Sequence, residues 1–239
     1  MILTYYELAE RRVSVREVGK NIKHTNLVNL IRDLLRQHPE SHTNTALPFS
    51  SAASDYLDFT ESHPLTTYNS AVATFYAPSD HSGIGGMRKE RIRAVSCWRG
   101  VYPRFDTVLL NPNSKSESAS NDEPTINSFS VAQVRLFFSF EYNRVSYECA
   151  LVYDYQVVNP FPDEVTGMAI VKRARRGTAR IVPLNDILRA VHLIPVFSEL
   201  GTKRIPKKYK HELTLGDRQL FKLFYVNKFV DHHAFEILS

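Results

Sequence analysis

In the stretch VRLFFSFEY, apolar side chains fall on every second residue: Val134, Leu136, Phe138, Phe140 and Tyr142, with Arg135, Phe137, Ser139 and Glu141 between them. The following run, VSYECALVYDY, repeats the pattern with Val145, Tyr147, Cys149, Leu151, Tyr153 and Tyr155. Successive side chains of a strand point to opposite faces, so a period of two is strand character. Two such runs joined at Asn143-Arg144 predict an antiparallel hairpin with one buried face. SAVATFYAP and FDTVLLN predict further strands, MAIVKRARRGTARIVPL a second hairpin turning near Gly177, and VHLIPVF a last strand.

Helical spacing appears elsewhere. Leu27, Leu30, Ile31, Leu34 and Leu35 recur at intervals of three and four, with Thr25 or Asn26 to cap the start and Pro39 to stop it. A weaker helix through YYELAERRVSVREV precedes it, so residues 1–40 are expected as a helical N-terminal segment. NDILRA reads as a short helical turn capped by Asn185. Leu220, Phe221, Phe224 and Tyr225 make the apolar stripe of a C-terminal helix over 217–233. Residues 41–64, rich in Ser, Thr, His and Pro, are expected as a linker. Residues 111–128 are polar and are expected as a mobile surface loop. The fold class expected is α+β: a mainly antiparallel, partly closed small β-barrel of SH3-like kind over 65–239, with N-terminal helices and a C-terminal helix.

Composition narrows the class. The chain has 239 residues, 43% hydrophobic and 23% charged, enough for one substantial core or two modest ones. Two cysteines make neither a disulfide framework nor a zinc set, and a reducing compartment, nuclear or cytoplasmic, is expected. MILTYYELAERR lacks the basic start and long apolar run of a signal peptide. No run approaches the roughly 18 apolar residues of a membrane helix, so no membrane partner is expected.

Charge changes the picture more. The net charge is +5, but residues 165–239 carry 14 basic and 6 acidic side chains, against 3 and 8 in residues 111–164. Arg88, Lys89, Arg91, Arg93 and Arg99 follow the glycine-rich SGIGG, with Trp98 and Tyr102 interleaved. Cations that meet phosphates, beside rings that stack, are the composition of a nucleic-acid surface. KRARRGTAR adds Lys172, Arg173, Arg175 and Arg176, which would project together at a hairpin tip. KRIPKKYK adds Lys203, Arg204, Lys207, Lys208 and Lys210. The glycines do not form a P-loop or a dinucleotide fingerprint.

Catalytic patterns are weak, and no catalytic residue, metal ligand or cofactor is assigned. Asp106, Asp154 and Asp163 form a carboxylate triad only if the fold gathers them. Phe137, Tyr147, Tyr153, Tyr155 and Phe161 would have to converge to cage a methylated ammonium, and His192 reads as a core or strand-end histidine. In FVDHHAFEILS, Asp231, His232, His233 and Glu236 lie close in sequence. Adjacent histidines diverge on a helix, so dipole-complementing trim is favoured over a metal site.

NSAVATFYAPSDHSGIGGMRKERIRA, WRGVYPRFDTVLLN, VRLFFSFEYNRVSYECALVYDY, DEVTGMAIV, LNDILRAVHLIPVF and FYVNKFVDHHAFEI occur in this order. Together, over about 65–239, they resemble the C-terminal region of large proteins encoded by fungal transposons, of the Plavaka or KDZ kind related to CACTA elements. In those proteins the DDE-type transposase core lies upstream, so the resemblance implies an accessory module or fragment and carries over no catalytic residue. This chain departs from the pattern at Tyr153-Asp154 and at KRARRGTAR. ARIVPLNDILRAVHLIPVF also looks like the strand, short helix and strand that end a bromo-adjacent homology (BAH) barrel, which implies a BAH-like fold and a chromatin partner. The expectation is a non-catalytic module binding DNA or chromatin through basic surface. The alternatives are a protein-interaction barrel without nucleic-acid affinity, and a metal-dependent enzyme centred on His232, His233 and Glu236.

Overall fold

The computed structural model describes residues 3–6, 9–37, 58–78, 84–100, 102–111, 129–174, 179–197 and 221–239. The polar stretch 112–128, most of the expected linker, Arg175, Arg176 and the KRIPKKYK run lie outside the described residues. The architecture is mostly antiparallel β, with three helices among the described residues and one large sheet curled into a half-barrel. Among the described residues the strands do not close into a small barrel.

The centre is the expected hairpin, β8 (Ser130–Tyr142) and β9 (Val145–Val157). It turns at Asn143 and Arg144, both left-handed with φ of 52° and 65°. Two positive φ values give the turn whose twist matches paired strands. The expectation of one buried face does not hold. Phe138, Cys149 and Leu151 face one core, while Phe137, Ala150 and Val152 are equally buried on the other side.

Alternation also breaks inside β8. Val134 pairs with Val152, but Leu136 pairs with Leu151, so Arg135 sits in a β-bulge. The extra residue turns Val134 onto the face of Phe137 and away from Leu136.

Each long strand carries two short partners along its outer edge. β8 pairs with β7 (Thr107–Leu110) at one end and β3 (Pro64–Tyr68) at the other. β9 pairs with β11 (Ala179–Pro183) and then β10 (Ile170–Arg173). The expected second hairpin is therefore not one. β10 and β11 both run antiparallel to β9, in line along the same edge, and Gly177, where the turn was expected, lies outside the described residues. Beyond β10 come β14 (Leu223–Val226) and β13 (Leu193–Pro195); beyond β7 comes β12 (Ile187–Ala190). The end strands β12 and β13 are sequence neighbours joined by Val191 and His192, which shows how far the sheet curls.

The first face of the hairpin is covered by α1 (Val15–Asn21) and α2 (Leu27–Gln37), whose Val18, Leu27, Ile31 and Leu35 pack on Phe138, Phe140 and Leu151. The helix expected over the first residues is replaced by β1 (Leu3–Tyr6) and β2 (Ala9–Ser14). β2 lies beside β3, and its last residue, Ser14, caps α1 by accepting from the Glu17 amide at 3.2 Å. Phe59, from the stretch expected as a linker, is fully buried here against Phe140.

The second face meets a four-stranded sheet of order β1-β4-β5-β6, with β4 (Ser70–Tyr76), β5 (Met87–Trp98) and β6 (Tyr102–Phe105). Ala71, Ala73, Ile92 and Ala94 supply its inner side. Gly86, φ 75°, closes the β4–β5 connection, and a Cβ there would stand 2.8 Å from the Tyr76 ring. Gly85 and Gly86, both at positive φ, thus lead into β5 rather than cradle a phosphate.

A third core gathers Leu109, Val171, Phe224, Val226, Ala234 and Leu238 under α3 (His232–Leu238). The helix expected over 217–233 is corrected by these elements, since Phe224 and Tyr225 lie in strand β14 and the helix begins at His232. The expected turn NDILRA is similarly short. A 3-10 turn spans Leu184–Asp186, and Ile187–Ala190 is strand.

The strand assignment makes Phe224 a core residue and leaves Tyr225 half-exposed. Phe224→Ala should cost about 4 kcal/mol and Tyr225→Ala about 1 kcal/mol in urea unfolding. A helix carrying both rings on its stripe would give similar costs.

Candidate functional site

The pleat of β5 sorts the first basic run. Lys89, Arg91 and Arg93 lie opposite Thr74, Val72 and Ser70 and share the outer face of the four-stranded sheet. Arg88 lies opposite Phe75, on the inner side with Glu90 and Ile92. Four residues that read as one patch in sequence therefore divide three to one.

At the far end of this outer face sits Trp98. The Arg93 guanidinium lies 4.8 Å from its ring centroid, that of Arg104 5.2 Å, and that of Arg99 5.7 Å. Arg99 reaches the ring from a tight turn in which its own φ is 53° and that of Gly100 is 75°. A register shift between Val95 and Trp98 swings the indole toward these cations. Asp106 binds the group from below: Arg104 Nε donates to its Oδ1 at 3.0 Å, and the Arg93 amide donates to its Oδ2 at 2.9 Å. Arg104 is not among the residues that the basic run singles out. Its signal was its place two residues from an acid and across a turn from Trp98.

The second run does not join this face. Lys172 and Arg173 are exposed on β10, beside Gln156 and Tyr155 of β9. Arg173 Nε points to the Tyr155 hydroxyl at 3.5 Å.

The C-terminal residues have another destination. Arg189, on β12, is 3% exposed and meets two carboxylates. Its Nη1 and Nη2 donate to Asp231 at 2.9 and 2.6 Å, and Nη2 also donates to Glu90 at 2.6 Å. Its guanidinium lies over the Phe75 ring at 4.8 Å, and Nη1 is 3.0 Å from His233 Nδ1. The His233 ring stacks on Phe75 at 4.7 Å. Asp231 also caps α3, accepting from the Ala234 amide at 2.7 Å. His232 and Glu236 are exposed and do not join His233. Among the described residues no three His, Cys, Asp or Glu side chains are placed to hold a metal ion, and Glu90, Asp231 and His233 converge on a guanidinium instead. The motif is the lock of α3 onto β12 and β5, and its central residue, a lone arginine in ILRAVHLIPVF, was passed over in the sequence.

Electrostatics splits the two carboxylates. Hydrogen bonds from Arg189 hold Asp231 down at a pKa of about 2. Burial pushes Glu90 above the usual carboxylate range despite the same arginine, with Asp231 adding repulsion. Burial, with Arg189 alongside, lowers the pKa of His233, which favours the neutral ring that can accept from Nη1.

The other candidate groups do not assemble. Asp106 serves Arg104, Asp154 binds Arg180 Nε at 3.0 Å, and Asp163 closes a local turn by accepting from Thr166. Phe137 lies on the opposite face from Tyr147, and Phe161 is 79% exposed, so no aromatic cage forms. His192 is an exposed strand-end residue beside Asn227.

No family model, no curated protein and no solved structure matches the chain. No helix among the described residues is long and apolar enough to cross a membrane.

Asp231→Asn keeps a capping side chain but removes the charge, so its effect isolates the ion pair. It should cost about 3 kcal/mol at neutral pH, because a buried guanidinium loses half its compensation. Asp231 has a folded pKa below its ordinary value of 3.8. Its contribution is therefore complete above that value and is lost as pH falls toward 2. Urea unfolding near pH 7 and near pH 3 should show a smaller cost for the variant at the lower pH.

Proposed function

We propose that the chain is a non-catalytic nucleic-acid-binding module that meets its partner with the outer face of the four-stranded sheet. The observation that carries this reading is the convergence of Arg93, Arg99 and Arg104 on Trp98. Three like charges around one ring repel one another. The indole face and Asp106 offset part of that repulsion, and a phosphate backbone would lower it further. Lys89, Arg91 and Arg93 recur every second residue of β5, spacing cations about 7 Å apart along a line that a strand of phosphates can track. Trp98 at the end of this line adds a ring for a base to stack on.

The finer descriptions are also proposals. The order β11, 3-10 turn, β12 supports the likeness to the end of a BAH barrel, and the curl of the large sheet supports an SH3-like core. A chromatin partner and a transposon-encoded origin agree with this reading, as does a nuclear location. A second reading, a protein-interaction module, has support in exposed Phe229, Val230 and Phe235, with the two phenyl rings 5.9 Å apart beside Lys228.

Fluorescence anisotropy with labelled single- and double-stranded oligonucleotides, titrated across salt concentration, tests the proposal. Affinity should fall steeply with salt, and Lys89→Gln with Arg91→Gln should flatten the log–log slope by about two. Trp98→Ala should weaken single-strand binding about tenfold or more. Salt-insensitive binding, or none at low ionic strength, favours the protein-interaction reading instead.

A further inference from the structure

Between the two sheets and the end of α1 lies a cavity of about 650 Å³. Ala94 and Phe105 wall it on the inner side of the β5–β6 ribbon, so it belongs to a different surface from Lys89, Arg91 and Arg93. Among the described residues its charged lining is basic: Arg11, Lys23, Arg135 and Arg173, with no carboxylate. Arg11 is partly compensated, since its Nη2 lies 3.1 Å from Glu17 at the surface.

Arg135 is the unusual member. The hairpin has a β-bulge at this residue, between Val134 and Leu136. A bulge gives up regular pairing and re-aims a side chain. Here the re-aimed guanidinium lies 3.8 Å over the Phe105 ring and 5.8 Å from that of Tyr153. Those ring faces attract its charge, but they supply no hydrogen-bond acceptor in the plane of its five N–H groups. Among the described residues no carboxylate, carbonyl or hydroxyl is paired with it. Burial lowers its hold on its proton; the Tyr153 hydroxyl works against that shift and the Arg173 charge adds to it. Arg189 shows the contrast, since the same side chain, placed in the fold's own structural network, has two carboxylates.

We propose that this cavity binds a small phosphate-bearing molecule, with Arg135 as the central contact and Arg11, Lys23 and Arg173 at the rim. A planar guanidinium fork in the wall of a cavity suits a tetrahedral oxyanion bidentately. The volume is that of a small-ligand pocket, with room for an organic group as well as the phosphate. This site is independent of the nucleic-acid face.

Thermal unfolding of the whole chain tests it, with inorganic phosphate, adenosine monophosphate and uncharged adenosine as probes and sodium chloride at matched ionic strength as reference. Phosphate and the monophosphate should raise the melting temperature, and adenosine should not. Arg135→Met keeps the apolar stem. Without ligand it should melt at or above the wild-type temperature, and its phosphate response should vanish, a loss of affinity of tenfold or more. If that variant does not fold, Lys23→Gln at the exposed rim should cut phosphate affinity several-fold with the ligand-free melting temperature unchanged. Lys89→Gln with Arg91→Gln should leave the phosphate response intact. The proposal falls if phosphate gives no shift beyond chloride or if the shift survives Arg135→Met. An unchanged shift in Lys23→Gln also overturns it, as does loss of the shift in the β5 variant, which would place the anion on the outer face.

Discussion

Thirteen residues of β8 paired with thirteen of β9 create more backbone edge than one ordinary strand can satisfy. Buried N–H and C=O groups must be paired, so each outer edge takes two short strands, β7 and β3 on one side and β11 and β10 on the other. These attachments fix the directions in which the chain leaves the hairpin. They curl the sheet and leave two apolar faces to cover. The helical pair α1–α2 takes one face and the four-stranded sheet takes the other. The basic face of β5 exists because its inner side, Ile92 and Ala94, is needed against Phe137 and Val134.

Two breaks in the period-two pattern carry much of the chemistry. In β8 the bulge at Arg135 changes the face of everything on its N-terminal side. In β12 the register also shifts, so that Ile187 pairs with Leu110 and Arg189 with Leu109. Ile187 joins the second core, while Arg189, two residues on, reaches Asp231 and Glu90. An arginine in a regular strand of a buried sheet would face a core with no room for its charge. At these two positions the backbone gives way instead, and one guanidinium is met by carboxylates while the other opens onto a cavity.

The hairpin, β4, β7 and α2 were legible because their periodicity is uninterrupted and their turn residues agree with it. The bulge was not, since counting alternate positions assumes one unbroken pairing, and VRLFFSFEY looks perfect on either side of it. Residues 220–226 satisfied both a helical and a strand spacing over a window too short to separate them. Only pairing with β10 and β13 decides for the strand. Gly177 suggested a reversal, but β10 and β11 both pair with the long edge of β9 and run in the same direction. The basic run was visible as charge and not as a face, because one-letter order hides which side of the pleat each residue takes. Arg189 escaped notice for the opposite reason. A lone cation among apolar residues raises no patch, although isolation of that kind is itself a signal of a buried partner.

The lock around Arg189 joins residues far apart in the order of synthesis. Arg189 leaves the ribosome 99 positions after Glu90, and Asp231 follows 42 positions later. During that interval the nascent chain can build the hairpin and both covering layers with the arginine held by one carboxylate. The second carboxylate arrives with the cap of α3, so ordering of that helix and final neutralisation of the buried cation become a single event that follows synthesis of Arg189.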